Sequence, residues 1–228
     1  MGQFINLQAA DGFTFPVYVA KPAGQPQGAV VVLQEIFGVN AHIQEVADGY
    51  AAAGYLAVAP ANFHRLQAGV NLAYGDADRG TGIALKAAVE ALPPPGVLQD
   101  IQAAIDYAHA GGGKVGVVGY CWGGLLSWRA ACLLKGVSAA VSYYGGGVTS
   151  EAESARQPKC PVIAHFADQD HWIPMDSVHA FAAAHPETPV HVYAADHGFN
   201  CDHRASYDAA AAKLALERSL AFFASHLR

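Results

Sequence analysis

Short apolar runs alternate with helical segments along most of the chain, and this alternation is the feature that most limits its fold. The run 29–33, Ala-Val-Val-Val-Leu, is continuous and β-branched, as expected of a parallel strand buried on both faces. Repeated strand–helix units build a right-handed, mostly parallel twisted sheet with helices on both faces. The predicted fold class is therefore α/β, and no linker or repeat divides residues 1–228, so one domain is expected.

The predicted elements follow this alternation from end to end. Predicted strands cover residues 3–7, 13–20, 29–33, 55–59, 114–118, 138–143, 161–166 and 189–193. Predicted helices cover residues 41–53, 98–109, 122–134, 175–184 and 205–225. The first two strands flank Asp11-Gly12, which predicts a hairpin. Residues 61–96 contain several glycines and Pro93-Pro94-Pro95, which predicts an irregular excursion over the ligand-binding end of the sheet.

Composition excludes several classes of function. Hydrophobic residues make up 53% of the chain and charged residues 14%, a balance that favours a large core over disorder. The net charge is −6 without a basic block, so nucleic acid is not an expected partner. We expect no export signal and no membrane span. The four cysteines form no Cys-x-x-Cys pair, which favours a cytoplasmic protein with free thiols. A monomer or small homo-oligomer is expected.

The turn after the strand 114–118 carries the strongest chemical signal. Its sequence is Gly119-Tyr-Cys-Trp-Gly-Gly124, which lacks the glycine spacing of a dinucleotide site and the lysine of a P-loop. It fits the nucleophile elbow, Gly-x-[Ser/Cys]-x-Gly. The elbow would place the Cys121 thiol at a helix N-terminus, where the dipole favours the thiolate and the Trp122 N–H can bind an oxyanion. A buried structural cysteine is the alternative.

An acid and a histidine follow in the order that α/β-hydrolases use. Asp168 and Asp170 come directly after a predicted strand, and Asp170 is the preferred acid. His197 follows the next strand and precedes a glycine that permits a tight loop. Cys121, Asp170 and His197 could therefore meet above one sheet edge.

Two competing interpretations use neighbouring residues. His171, which adjoins Asp170 in the sequence, could be mistaken for the catalytic histidine. A zinc site is the second, because four possible ligands fall within seven residues: His197, Cys201, Asp202 and His203. This set lacks a recognised helical His pair with a catalytic glutamate, so neither a metal nor an organic cofactor is expected.

Three segments carry a resemblance to a known family: Gln34-Glu-Ile-Phe-Gly-Val-Asn40, Gly119-Tyr-Cys-Trp-Gly-Gly124 and Gln169-Asp-His-Trp-Ile-Pro174. They resemble the dienelactone hydrolase family of α/β-hydrolases, whose members carry a cysteine at the elbow. Ala195-Asp-His-Gly-Phe199 matches more weakly. The order and spacing are similar over nearly the whole chain, and the resemblance implies the α/β-hydrolase fold.

The resemblance also implies roles for individual residues. The triad is then Cys121, Asp170 and His197. Glu35 looks like the family glutamate that helps to deprotonate the thiol when substrate enters, although an N-cap or surface carboxylate is the alternative. The Ile36 N–H would complete the oxyanion hole with that of Trp122. Tyr143 resembles a family tyrosine near the substrate, with core packing as the alternative.

The expected carboxylate-binding residues depart from the family pattern. Family enzymes that open dienelactone hold its carboxylate with two arginines, and the aligned positions here are Thr81 and Cys201. Arg79 and Arg204 lie two and three residues away and are the candidates to replace them. Without a cation, a buried substrate carboxylate would be costly.

These observations predict a hydrolase that cleaves a small-molecule lactone or carboxylic ester through an acyl-thioester on Cys121. Two alternatives stay open. One is a broader carboxylesterase or thioesterase on the same machinery, and the other is a non-catalytic binding module that retains only the fold.

Overall fold

A computed structural model describes residues 1–228 and contains one eight-stranded sheet with seven helices. The strands are β1 (Gln3–Gln8), β2 (Thr14–Ala20), β3 (Ala29–Leu33), β4 (Leu56–Pro60), β5 (Val115–Tyr120), β6 (Val137–Tyr143), β7 (Val162–Ala167) and β8 (Val190–Tyr193). The helices are α1 (Ala41–Ala52), α2 (Asp76–Glu90), α3 (Leu98–Gly112), α4 (Trp122–Leu133), α5 (Glu151–Ser154), α6 (Met175–Ala184) and α7 (Ala209–His226).

The strand order is β1-β2-β4-β3-β5-β6-β7-β8. The pairs β1–β2 and β2–β4 are antiparallel, and every pair from β4–β3 to β7–β8 is parallel. The predicted hairpin and mostly parallel sheet are therefore confirmed. Because the carboxyl ends of parallel strands meet at one edge, the loops after β3, β5, β7 and β8 can form a common site there.

The centre of the sheet is covered on two sides. All five residues of β3 and all six of β5 are buried, which explains their continuous apolar sequence. A side chain at Gly116 would meet Phe223 of α7, whereas one at Gly119 would meet Gly123 of α4. Strand residues three apart point to opposite faces, so α4 and α7 lie on opposite faces of the sheet.

The region 61–96 is more regular than predicted. It contains α2, a fifteen-residue helix that is absent from the predicted elements. The helix lies over the site end of the sheet: Gly82 packs so closely on the Ile36 carbonyl that a Cβ there would overlap it. Gly82 therefore permits close packing of α2 on the loop after β3, although a glycine in a sequence usually suggests a helix break.

None of the helices is long and apolar enough to cross a membrane.

Candidate active site

Cys121 lies in a strained turn between β5 and α4. Its backbone has φ 55° and ψ −116°, a conformation that L-residues rarely adopt and that costs about 1–3 kcal/mol. A Cβ on Gly119 would overlap the Gly123 carbonyl, and a Cβ on Gly123 would overlap the Leu33 carbonyl. Glycine at both positions therefore permits the turn and brings it against the end of β3. The half-buried thiol of Cys121 stands at the start of α4.

His197 and Asp170 form a buried pair. His197 Nδ1 lies 2.7 Å from Asp170 Oδ2, and the histidine and aspartate side chains are 8% and 1% exposed. The second carboxylate oxygen, Oδ1, accepts a hydrogen bond of 2.8 Å from the Trp172 N–H. Asp168 is exposed and does not take this position, and His171 is exposed as well.

The surroundings of His197 favour its charged form. Burial opposes protonation, but the charge of Cys121 and the hydrogen bond to Asp170 outweigh it and raise the pKa of His197 to about 10. The thiol of Cys121 and the His197–Asp170 pair lie at the same end of the sheet, after β5, β8 and β7. The arrangement can therefore hold a thiolate beside an imidazolium, as in other cysteine nucleophiles.

Glu35 and Arg204 form a second buried pair at this edge. Glu35 is 1% exposed, and its Oε1 accepts a hydrogen bond of 3.2 Å from Arg204 Nη1. Its other oxygen, Oε2, has no hydrogen-bond partner. The N-cap of the following helix is Asn40, so Glu35 is neither a surface carboxylate nor a cap. A buried carboxylate with one free oxygen is suited to receive a proton or a hydrogen bond.

Two backbone N–H groups at or near the elbow are candidates for the oxyanion hole. The Ile36 N–H donates to no acceptor in the chain, and the Trp122 N–H belongs to the first turn of α4, where helices leave donors free. The indole of Trp122 is held in place, because Nε1 donates to Glu90 at 2.8 Å and the ring stacks on Phe63 at 5.0 Å. The packing thus fixes the start of the helix while leaving its backbone donor available.

Both candidate arginines border one cavity of about 650 Å³, which is also lined by Tyr74, Asp196 and His203. Arg79 lies on α2, pairs with Asp76 at 2.8 Å and has 47% of its side chain exposed. The Arg204 side chain is only 18% exposed. It packs on Gly198, where a Cβ would overlap the guanidinium, so the glycine after His197 makes room for this cation.

Tyr143 does not line this edge of the sheet. It is fully buried, and its hydroxyl shares a 2.7 Å hydrogen bond with Ser219 of α7. This arrangement matches the core-packing alternative and corrects the expected substrate contact. The following residue, Tyr144, has φ 35°, and its ring packs edge-on against His197 at 5.1 Å. Its buried hydroxyl has no hydrogen-bond partner.

Sequence reasoning missed Tyr144 because alternation along a strand gives no sign of the backbone change after Tyr143. It also missed Tyr74, whose ring lies 5.7 Å from the Arg204 guanidinium. No motif in the sequence marks either residue.

The four residues weighed as a zinc site are not brought together. His197 pairs with Asp170, and Cys201 is fully buried. Burial and the nearby Glu35 raise the pKa of Cys201 to about 12, which keeps its thiol protonated. Asp202 and His203 instead approach α1.

The parallel sheet, the elbow and the ordered loops define an α/β-hydrolase. Comparisons with known proteins narrow this class. The profile of the dienelactone hydrolase family matches residues 15–227. Carboxymethylenebutenolidase of Pseudomonas putida is 38% identical over 96% of this chain and 95% of its own length. The chain therefore belongs to the dienelactone hydrolase family and is a hydrolase of the ester or lactone type.

Solved structures agree with this assignment. A Klebsiella pneumoniae protein assigned as a dienelactone hydrolase superposes with a TM-score of 0.84 at 31% identity, over 99% of both chains. A dienelactone hydrolase-like phosphotriesterase from metagenomic libraries has a TM-score of 0.80 at 20% identity and covers 100% of this chain and 99% of its own. The second likeness concerns the fold alone.

Proposed function

We propose that this enzyme opens a small anionic lactone, or cleaves an ester of similar shape, through an acyl-thioester on Cys121. The observation that carries the proposal is the pairing of His197 with Asp170 at 2.7 Å beside the elbow cysteine. The class of reaction, ester or lactone hydrolysis, comes from the family. The residue roles below are our assignments.

Acylation begins with a thiolate. In our assignment, the Cys121 thiolate attacks the carbonyl carbon, and the N–H groups of Ile36 and Trp122 stabilise the oxyanion. The carbon–oxygen bond of the lactone or ester then breaks, and the leaving oxygen takes a proton from the His197 imidazolium. The raised pKa of His197 supports this role, because the residue carries that proton at neutral pH.

The thiolate arises when substrate enters. The unpartnered Oε2 of Glu35 and the bond from Arg204 to Oε1 support an exchange of partners. Any bound substrate dries the pocket around Glu35, and a substrate carboxylate would in addition attract Arg204 away from it. A carboxylate that loses water or its cation becomes more basic, so Glu35 takes the proton of Cys121 at the moment when substrate is bound.

Deacylation restores the enzyme. His197, now neutral and oriented by Asp170, takes a proton from water as that water attacks the thioester carbon. The thioester bond breaks, the carboxylic acid product leaves, and the Cys121 thiolate recovers its proton from Glu35. No step requires a metal ion or organic cofactor.

Recognition of an anionic substrate rests on Arg204 and, more weakly, on Arg79. Both border the same cavity, and two guanidinium groups can grip a carboxylate by charge-assisted hydrogen bonds. The buried position of Arg204 makes it the stronger contributor.

The direct test is hydrolysis of cis- and trans-dienelactone beside p-nitrophenyl acetate, by the native chain and by Cys121→Ala. Cys160→Ala is the matched control, because Cys160 is another half-buried thiol whose pKa is raised to about 11 by burial. We expect turnover of dienelactone by the native chain and the control, and its loss in Cys121→Ala.

Turnover of the acetate ester alone would favour the broader esterase. Turnover of neither substrate would favour a binding module or another substrate class. Equal turnover by Cys121→Ala would refute Cys121 as the nucleophile.

A further inference from the structure

Four side chains with metal-binding atoms cluster outside the catalytic triad: His42, Glu45, Asp202 and His203. One ligand atom from each lies within 4.8 Å of the others. Two imidazoles and two carboxylates can coordinate zinc and similar ions, and two carboxylate charges balance a divalent cation. The cluster is not a purely acidic surface, because the two histidines contribute nitrogen ligands.

The fold brings the four residues together from two distant segments. His42 and Glu45 are three residues apart on the first turns of α1, a spacing that places both on one helix face. Asp202 and His203 belong to the loop between β8 and α7. His203 Nε2 lies 2.8 Å from Glu45 Oε2, so the loop already contacts the helix here.

The imidazole of His42 is buried and incompletely hydrogen-bonded. The side chain is 4% exposed, and Nδ1 lies 3.3 Å from Asp202 Oδ1, within hydrogen-bonding distance but without the alignment of a hydrogen bond. Nε2 has no hydrogen-bond partner. Buried polar groups are nearly always hydrogen-bonded, and the protein atoms around His42 do not satisfy its imidazole.

The geometry allows closure around an ion. Ligand atoms of tetrahedral zinc lie about 3.3–3.5 Å apart, given bonds of about 2.0–2.2 Å. The present separations reach up to 4.8 Å and need to shrink by about 1.5 Å at most, whereas the 2.8 Å contact between Glu45 and His203 needs to widen. The side chains of Glu45, Asp202 and His203 are 58%, 58% and 36% exposed, so their rotamers are free to adjust. His42 is the fixed ligand.

We propose that His42, Glu45, Asp202 and His203 form a binding site for a divalent transition-metal ion of the zinc class, which fastens the loop after β8 to α1. The site uses none of the three triad residues and does not rest on the function proposed above, although His203 also borders the cavity that Arg79 and Arg204 line. Because Arg204 directly follows His203, the ion also restrains the segment that carries the buried cation paired with Glu35.

The test measures Zn²⁺ binding by calorimetry to the full chain carrying Cys121→Ser, which removes the reactive thiol as a competing ligand. We expect one Zn²⁺ per chain. Glu45→Gln and His203→Asn, each added to this background, should weaken binding at least tenfold. Both positions are at the surface, so these variants should fold even if His42→Ala does not. His179→Gln is the control, since it removes an exposed histidine on α6 and should leave binding unchanged.

Co²⁺ identifies the ligands. A visible d–d spectrum without a thiolate-to-cobalt charge-transfer band supports nitrogen and oxygen ligation, and this spectrum should be lost in Glu45→Gln. Zn²⁺ should also raise the melting temperature of the Cys121→Ser chain but not that of the double variants. Absence of stoichiometric binding, a thiolate band, or binding that both ligand variants retain would overturn the proposal.

Discussion

The proposed catalytic pair, Asp170 and His197, and the rim of the neighbouring cavity differ in their structural support. Asp170 and His197 are 1% and 8% exposed and are joined to each other, and the elbow cysteine is held by two glycines that no larger residue could replace. On the rim, Arg79 is 47% exposed and His203 is 36% exposed. In our proposal, backbone geometry fixes the reacting groups, whereas partly exposed side chains form part of the surface that recognises the substrate. Substrate preference can therefore change within this fold while the chemistry is retained.

Asp170→Asn should have the largest effect of the variants that test this contrast. The amide cannot stabilise an imidazolium or fix the productive tautomer of His197, so we expect kcat to fall by about 10³- to 10⁴-fold. Steady-state kinetics with p-nitrophenyl acetate measure the loss. Asp168→Asn, an exposed change two residues earlier, should be close to the native chain. Equal losses of kcat in the two variants would show that catalysis depends on the loop as a whole and not on the pairing of Asp170 with His197.

Arg204→Gln should have a smaller and selective effect. Removing one charge-assisted partner of a carboxylate costs about 1.5–3 kcal/mol, which corresponds to about a 10- to 150-fold rise in KM for dienelactone. The neutral ester p-nitrophenyl acetate should be much less affected. A uniform loss on both substrates would show that Arg204 acts mainly through Glu35 and not by binding the substrate carboxylate, and would remove the distinction between the two regions.

Arg79→Gln should have a smaller effect on KM than Arg204→Gln. The guanidinium is half exposed and already paired with Asp76, and exposed pairs contribute about 0–1 kcal/mol. We expect at most about a fivefold rise in KM for dienelactone. Kinetics of the single and double arginine variants would reveal coupling between the two guanidinium groups. A loss larger than that of Arg204→Gln would reverse our ranking.

Tyr143→Phe should have the least effect on catalysis. It removes the hydrogen bond to Ser219, and we expect about 1 kcal/mol of lost unfolding free energy with kcat unchanged. Tyr144→Phe is the matched comparison, because that hydroxyl has no partner to lose. Urea unfolding and kinetics of both variants measure the difference. A fall in kcat for Tyr143→Phe but not for Tyr144→Phe would support the original expectation that Tyr143 contacts the substrate.

Much of the fold follows from local sequence. The strands β3, β5 and β7 are predicted within two residues at each end, because buried parallel strands require continuous apolar runs. Helix α2 is not predicted, since Gly80 and Gly82 suggest a break, whereas the fold uses Gly82 to approach the Ile36 carbonyl.

The site is less predictable where distant segments meet. Motif order suggests that Cys121, Asp170 and His197 belong together, but no local pattern reveals that Arg204 reaches Glu35. The cluster of His42, Glu45, Asp202 and His203 is hidden for the same reason, because about 160 residues separate its two halves. Such contacts depend on tertiary packing, and a single sequence does not encode them as a motif.

The central claim is that the thiol of Cys121 becomes acylated during turnover. Rapid acid quenching of the native chain with p-nitrophenyl acetate, followed by proteolysis and mass spectrometry, tests this claim most directly. We predict one acetyl group on the peptide that contains Cys121, which disappears as substrate is exhausted. Steady turnover with no acetyl group on that peptide, or with the group on another residue, would contradict the account.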